Sequence, residues 1–364
     1  MAGIVEYVQQ ELRTFEEAPF NEVDSLVLSQ LAYLQLGCLV PPRGRRGSIP
    51  ITSLFRAEFF ETLLHQVRDP EKNLALLAAL CASPRFRSLR LCNFVDERDL
   101  TEEKQFVAVT VLMEGRRRYL AFRGTDADVV GWKEDFNMAF QSPVPAQRAA
   151  VDYVNFSART SMDRLILGGH SKGGNLAAYS AIHCPRQVQN RLEAVYTHDG
   201  PGFKNDPRNE PGYLVVQDRI HKTMPQSAVV GMLLAHQENY SVVKSNRMGL
   251  LQHDPFSWQV EDGRFVRLEE ISAGARHMND SLNRWLSTQS DSQREEFVGA
   301  LFGVLDAFHI KNFAKDEWDW QQLPAMLENL KNIDEETHKV LRHTLMELAK
   351  MSVLGLSKSS KKKS

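Results

Sequence analysis

A chain of 364 residues with 43% hydrophobic residues, 25% charged residues and a formal net charge of −2 has the composition of an ordinary globular protein. The near-neutral charge gives no electrostatic case for a nucleic-acid partner, and no apolar run approaches the roughly 18 residues that a membrane-spanning helix needs. Residues 1–17 carry acidic side chains and lack the order of a secretory signal, so we expect a cytoplasmic protein without an integral membrane segment.

The four cysteines stand in mostly apolar stretches and none forms a C-x-x-C pair: they are Cys38, Cys81, Cys92 and Cys184. This pattern predicts buried free thiols rather than disulfides or a zinc site, and we expect neither a metal nor a cofactor.

The first 85 residues predict a helical segment that packs on a larger core. A short helix is expected before Pro19, and apolar residues at helical spacing predict a helix over 22–36. Further helices are expected at about 53–67 and 70–82.

From residue 86 the pattern changes to strands at 87–95, 104–113 and 117–122, with a hairpin turn at Glu114-Gly115. Helices are then expected at 131–141, 146–160, 172–183 and 227–235, alternating with strands at 164–169, 193–198, 214–222 and 240–244. This alternation predicts an α/β core over 86–290, with a mostly parallel sheet and helices on both faces.

After a small strand at 264–268 the chain is expected to be helical to its end, at 275–287, 291–309, 320–331 and 334–353. Residues 291–356 are predicted to form a C-terminal helical extension, and the lysine-rich residues 357–364 a disordered tail.

Ser171 lies within G-x-S-x-G, in the stretch RLILGGHSKGGNLAAYSA. Residues 165–167 predict a short strand buried on both faces, and the small residues after the serine predict a closely packed helix. A nucleophile elbow needs Gly169 and Gly173, because the serine occupies a strained turn where strand and helix approach closely. We therefore interpret Ser171 as a nucleophile.

A serine hydroxyl is a weak nucleophile, so Ser171 needs a general base, and the base needs a carboxylate that fixes its tautomer. Of the eleven histidines, His253 follows the strand YSVVKS and a polar loop, where the last parallel strand would deliver a base to the carboxyl edge of the sheet. The alternative is an ordinary loop histidine. His170, inside the elbow, is expected to point away from the serine.

Two carboxylates are candidates for the acid. Asp199, in THDGPGF, follows the strand 193–198 directly, where a turn would hold it at the sheet edge. Asp218 lies in the next strand region, VVQDRIHKTMP. In enzymes that carry a nucleophile elbow on a parallel sheet, the acid commonly follows one strand further on, which favours this later position. A charged residue midway along a buried strand is poorly placed for catalysis, so we favour Asp199 and keep Asp218 as the alternative.

An oxyanion hole needs two donors, and we expect one from the Lys172 amide. The other is expected from Thr125, in the loop after the strand 117–122, through its amide and hydroxyl. Arg123 can pair with Asp135 on the next helix and fix this loop. For the Lys172 side chain two alternatives stay open: a solvated surface position, or a position at the mouth of the site that recognises an anionic substrate group.

The stretch AFRGT…GW..DF, followed about forty residues later by GGHSKGGNLA, resembles the class 3 lipases and implies Ser171 as nucleophile and Thr125 as oxyanion residue. The combination of GHSKGGNLA, DGPGF, MPQSAVVGMLL and QHDPFSW, over about residues 21–290, more closely resembles a bacterial family of unknown function with the α/β-hydrolase fold. Lys172 replaces the leucine of true lipases, and no long apolar lid is visible. The resemblance therefore implies serine hydrolysis rather than a fat substrate in particular.

Together these patterns predict a serine hydrolase of the α/β-hydrolase fold that cleaves an ester or thioester of a small-molecule or acylated substrate through an acyl-enzyme. Two alternatives stay open. One is a non-catalytic member of the fold that binds a partner or an acylated ligand through its C-terminal helices. The other is an acyltransferase that passes the acyl group to an acceptor other than water.

Overall fold

The computed structural model describes residues 2–99, 101–125, 134, 136–228, 230–235, 239–307, 335 and 339–342. In these residues the strands are β1 (Ile49–Pro50), β2 (Arg90–Asp99), β3 (Lys104–Met113), β4 (Arg117–Phe122), β5 (Arg164–His170), β6 (Leu192–His198), β7 (Ile220–Pro225), β8 (Tyr240–Val243), β9 (Val260–Glu261), β10 (Arg264–Phe265) and β11 (Arg267–Leu268). The α-helices are α1 (Ile4–Gln10), α2 (Glu22–Leu31), α3 (Ala57–Leu63), α4 (Pro70–Ala82), α5 (Pro145–Arg159), α6 (Lys172–His183), α7 (Arg186–Gln189), α8 (Pro211–Val216), α9 (Ala273–Thr288) and α10 (Asp291–Ala307).

Nine of these strands form one mixed sheet in the order β1 to β8, followed by β11. Strands β4 to β8 are parallel, whereas β1 to β4 pair antiparallel and β11 pairs antiparallel with β8. Because the parallel strands point the same way, the carboxyl ends of β5, β6 and β7 meet at one edge. The expected α/β architecture is confirmed.

Helices cover both faces of the sheet, and alternate residues of β5 separate the two cores. Ile166 packs in a cluster with residues of α1, α2 and α4, whereas Leu165 and Leu167 pack in a second cluster with residues of α5, α6 and α8. Successive strand side chains point to opposite faces, so a parallel strand covered on both sides is apolar throughout. The N-terminal helices are thus part of the main core.

The N-terminal helix α2 is also joined to the chain by polar contacts. Its cap residue Asn21 accepts hydrogen bonds from the amides of Val23 and Asp24, and the Asp24 carboxylate accepts one from the Asn21 amide. Arg85 donates to both carboxylate oxygens of Asp24, at 2.8 and 2.6 Å, and neither side chain is exposed. This buried bidentate pair links α2 to the segment that follows α4.

His198, the last residue of β6, makes a second buried link to α2. Its Nε2 lies 2.9 Å from the Ser25 hydroxyl, which lies 2.9 Å from the hydroxyl of Tyr119 on β4. Burial, and less strongly the charge of His221, lowers the pKa of His198 from 6.5 to about 3. The folded protein therefore holds this imidazole neutral over a range in which the unfolded chain binds a proton.

We expect this histidine to make the protein less stable as the pH falls. Between pH 6.5 and 3 the unfolded chain takes up a proton that folded His198 does not, so the free energy of unfolding decreases by up to about 1.4 kcal/mol per pH unit. Urea unfolding at pH 7.0, 5.5 and 4.5 measures this slope. His198→Gln is expected to be less stable at pH 7 but to show a shallower slope, and equal slopes in both proteins would contradict the assignment.

The predicted elements match best where the sequence pattern is strong, and the strands at 104–113 and 117–122 and the helices at 70–82 and 172–183 are confirmed. The strand predicted at 214–222 is wrong over residues 214–219, because Pro211 starts a short helix, α8, a 3-10 turn at Gln217–Arg219 follows, and β7 begins only at Ile220. The helix predicted at 227–235 is replaced, in its described residues, by a 3-10 turn at Val230–Met232.

Other predicted elements have different bounds or lie partly outside the described residues. The helix predicted over 22–36 ends at Leu31. The strand at 264–268 is divided, since β10 pairs with β9 and β11 pairs with β8. Residues 320–331 and most of 334–353 lie outside the described residues, so the proposed C-terminal extension and the other domain boundaries stay predictions. Within the described residues, no helix is long and apolar enough to cross a membrane.

Candidate active site

Ser171 stands at the carboxyl end of β5, between the strand and α6. Its backbone has φ 59° and ψ −134°, an unusual conformation for a residue with a side chain. Its amide donates to the carbonyl of His198 on β6, at 2.9 Å. The turn is therefore strained and held by the neighbouring strand, as the elbow interpretation requires.

The glycines around the serine allow this close approach. A Cβ on Gly169 would overlap the backbone of Gly173, and a Cβ on Gly173 would overlap the carbonyl of Phe122 at the end of β4. Larger residues would push β4, β5 and α6 apart. The two small positions of G-x-S-x-G are thus explained by contacts between three elements.

Asp199 follows β6 at the same edge of the sheet and is 1% exposed. Its amide donates to the carbonyl of Thr223 on β7, at 2.7 Å, and its Oδ1 accepts from the Gly231 amide at 3.0 Å. Its Oδ2 lies 2.6 Å from Nδ1 of His253. Three hydrogen bonds therefore fix Asp199, one through its backbone and two through its carboxylate, and Oδ2 orients an imidazole.

His253 ends a 3-10 turn at Gly249–His253, ten residues after β8, and is 8% exposed. Because Nδ1 contacts the Asp199 carboxylate, the proton belongs on Nδ1, and Nε2 is the basic nitrogen. Asp218, the alternative acid, lies exposed in the turn Gln217–Arg219 that precedes β7, at the amino end of that strand. The structure thus brings His253 to Asp199 and leaves Asp218 at the opposite edge.

The loop after β4 reaches the elbow through Gly124. The point where a Cβ on Gly124 would stand lies within 3.0 Å of the Tyr33 hydroxyl, the His170 carbonyl and the Ser171 Cβ. Thr125, the next residue, is half-buried. Arg123 is buried, but its expected partner Asp135 lies outside the described residues. The loop that carries Thr125 therefore borders the serine.

Lys172 begins α6, so its amide is among the first amides of the helix. Its side chain is only 1% exposed, and both positions expected for it are wrong. Nζ donates to Glu134 Oε2 at 2.9 Å and to the Gln105 carbonyl at 3.1 Å. The same carboxylate accepts from the amides of Gln105 and Ala146. The lysine therefore joins the elbow helix to β3 and α5 and does not face a substrate.

Removing this ammonium is expected to destabilise the fold. Lys172→Leu leaves the buried Glu134 carboxylate without its cation, which costs about 3–5 kcal/mol in comparable buried pairs. The free energy of unfolding, measured in urea, gives this cost. The double variant Lys172→Leu/Glu134→Gln removes the uncompensated charge and is expected to recover part of the loss. A single variant with the stability of wild type would contradict the pairing.

Three contacts at the site were not predicted from the sequence. Gly231 donates to Asp199, and a Cβ there would overlap the carboxylate; its only signal was a glycine in VVGMLL. His170 contacts His253 and Tyr33, whereas the sequence predicted only that it points away from the serine.

Within the described ranges, no group of three or more His, Cys, Asp or Glu side chains is arranged to hold a metal ion.

The described residues form an α/β protein in which a strained serine at the end of β5 and an Asp–His pair lie at the carboxyl edge of a mixed sheet. A family model described as Mbeg1-like matches residues 80–303, more than half of the chain, and the chain belongs to the Mbeg1-like family. No curated protein matches the sequence.

Several solved lipases are similar to the chain at low identity. The Rhizomucor miehei lipase propeptide complex, a deletion mutant, is 16% identical with a TM-score of 0.34, over 47% of this chain and 58% of that one. The M37 lipase is 12% identical with a TM-score of 0.39, over 75% and 82% of the two chains. The Lip2 lipase from Yarrowia lipolytica is 12% identical with a TM-score of 0.40, over 70% and 88%. The chain thus spans less than two thirds of the Rhizomucor miehei chain.

Proposed function

We propose that this protein is a serine hydrolase of the α/β-hydrolase fold that cleaves a carboxylic ester or thioester through an acyl-enzyme on Ser171. His253 is the general base and Asp199 the acid that orients it. The amides of Lys172 and Thr125, with the Thr125 hydroxyl, form the oxyanion hole. The substrate is a small-molecule ester or an acylated compound.

The reaction divides into acylation and deacylation. His253 Nε2 takes the proton of the Ser171 hydroxyl while Oγ attacks the carbonyl carbon, and the oxyanion hole stabilises the oxygen that becomes negative. The tetrahedral intermediate collapses, and the alcohol or thiol leaves with the proton that His253 returns. Water then attacks the acyl-enzyme with His253 again as base, which releases the acid and restores the serine.

The observation that supports this proposal most is the 2.6 Å contact between His253 Nδ1 and Asp199 Oδ2. The two residues are 54 positions apart in the chain, and both are nearly inaccessible to water. A buried carboxylate that orients a neutral imidazole is the arrangement that lets the other ring nitrogen act as a base. The strained serine at the end of β5 is the group whose proton this base would accept.

A series of p-nitrophenyl esters from acetate to palmitate tests the activity. We expect turnover of at least one ester well above the buffer rate, and the dependence on chain length reports the size of the acyl site. No turnover with any member of the series would contradict an esterase and favour a protein that only binds.

A further inference from the structure

The histidine that precedes the nucleophile makes two hydrogen bonds that the proposed reaction does not use directly. His170 Nε2 lies 2.8 Å from the main-chain oxygen of His253, and its Nδ1 lies 3.2 Å from the hydroxyl of Tyr33. The ring centroids of His170 and His253 are 4.6 Å apart, with the planes tilted by 38°. His170 is 4% exposed, so these contacts are shielded from water.

The partners fix the proton position on this ring. A main-chain carbonyl can only accept, so His170 Nε2 carries a proton and donates it to His253. Nδ1 of the neutral ring is then an acceptor, and the Tyr33 hydroxyl donates to it. Burial, and less strongly the proximity of the second ionisable ring of His253, lowers the pKa of His170 well below 6.5 and favours this neutral form.

His253 needs such a contact because it lies on a loop rather than on a strand. Its turn, Gly249–His253, is separated from β8 by several residues without regular structure. The Asp199 carboxylate holds the ring by one nitrogen, but a single hydrogen bond leaves the ring free to pivot about it. The bond from His170 holds the backbone of the same residue, so two contacts define where Nε2 stands.

We propose that His170 is a positioning residue that fixes the catalytic base relative to the nucleophile. This inference rests on the proposed serine hydrolase function. His170 adjoins Ser171 in the chain and bonds the backbone of His253, so one residue links the two groups that exchange a proton. Tyr33, from the N-terminal segment, fixes the tautomer that makes the link possible.

The test compares His170→Gln with His170→Met, which have unbranched side chains of similar length. The glutamine amide can place an N–H close to the position of Nε2, whereas methionine has no donor. We expect His170→Met to lower kcat for a p-nitrophenyl ester about 100-fold, because misplacing a reacting group by about 1 Å costs that much. KM is expected to change less than about 3-fold, since the ring does not contact substrate, and His170→Gln is expected to restore most of kcat.

Two further variants complete the experiment. Tyr33→Phe keeps the ring but removes the donor to Nδ1, and we expect kcat to fall about 3- to 10-fold, as for one neutral hydrogen bond. His183→Met, at an exposed histidine at the end of α6, is the control and is expected to match wild type.

The outcomes separate this inference from the function on which it rests. Equal kcat in wild type and His170→Met would overturn the positioning role, and so would equal losses in the Gln and Met variants, which would mean that the ring acts only by packing. A wild-type protein without ester turnover would overturn the hydrolase proposal itself, and the inference with it. An unchanged kcat in Tyr33→Phe would mean that Tyr33 does not fix the tautomer of His170.

Discussion

Replacing Ser171 with alanine is expected to abolish ester cleavage while leaving the fold intact. In the proposed mechanism the serine, the base and the acid act as a unit, and removing the nucleophile of such a unit lowers kcat by a factor on the order of 10⁶. The substitution removes one oxygen from a side chain that is 8% exposed, so we expect the free energy of unfolding to change by less than about 1 kcal/mol. Initial rates on the best p-nitrophenyl ester and a urea unfolding curve give both quantities.

The stability measurement is the control for this variant, because a lost activity means little if the protein has unfolded. Ser180→Ala, on the same helix, is a second control: its hydroxyl donates to the Ala177 carbonyl within α6, and its kcat is expected to equal that of wild type. Residual activity above about a tenth of wild type in the Ser171→Ala protein would end the assignment.

The second large effect is expected at Asp199. In Asp199→Asn the amide group can turn its N–H towards His253 Nδ1, so the ring proton moves to Nε2 and the base cannot accept the serine proton. The corresponding change in a serine protease triad lowers kcat by about 10⁴, and we expect a loss of that order here. Measuring kcat and KM on the same ester shows whether the loss lies in kcat.

Asp218→Asn is the matched comparison, since it makes the same chemical change at the alternative acid. Asp218 is exposed before β7 and distant from the carboxyl edge, so we expect kcat to stay within about 2-fold of wild type. If Asp218→Asn lowers kcat more than Asp199→Asn, the role of the acid passes to Asp218 and the observed Asp–His pair is only structural.

Much of the fold was predictable because it depends on local patterns. The apolar run of residues 165–167 and the small residues after Ser171 indicated strand, elbow and helix, and α6 has the predicted bounds. Asp199 could be preferred over Asp218 from the position of each relative to its strand. The error at 214–222 arose because valines 215 and 216 suit a strand, while Pro211 and the packing on α6 produce a helix there.

The contacts that surround the candidate triad could not be predicted in the same way. Tyr33 and His170 are 137 positions apart, and Lys172 and Glu134 are 38 positions apart. No spacing pattern in the sequence therefore indicates either contact. Lys172 was expected at an exposed position because charged side chains are usually exposed. Its buried ion pair becomes apparent only when Glu134 is in place.

A fluorophosphonate probe tests the central proposal most directly, because it phosphonylates only a serine that is activated by a base. We expect the wild-type protein to be labelled, peptide mapping by mass spectrometry to place the label on Ser171, and Ser171→Ala to remain unlabelled. We also expect Asp199→Asn to be labelled much more slowly than wild type, while Asp218→Asn is labelled at the wild-type rate. A folded wild-type protein that takes up no probe, or that takes it up equally after Ser171→Ala, would contradict the proposal that this site is a serine hydrolase centre.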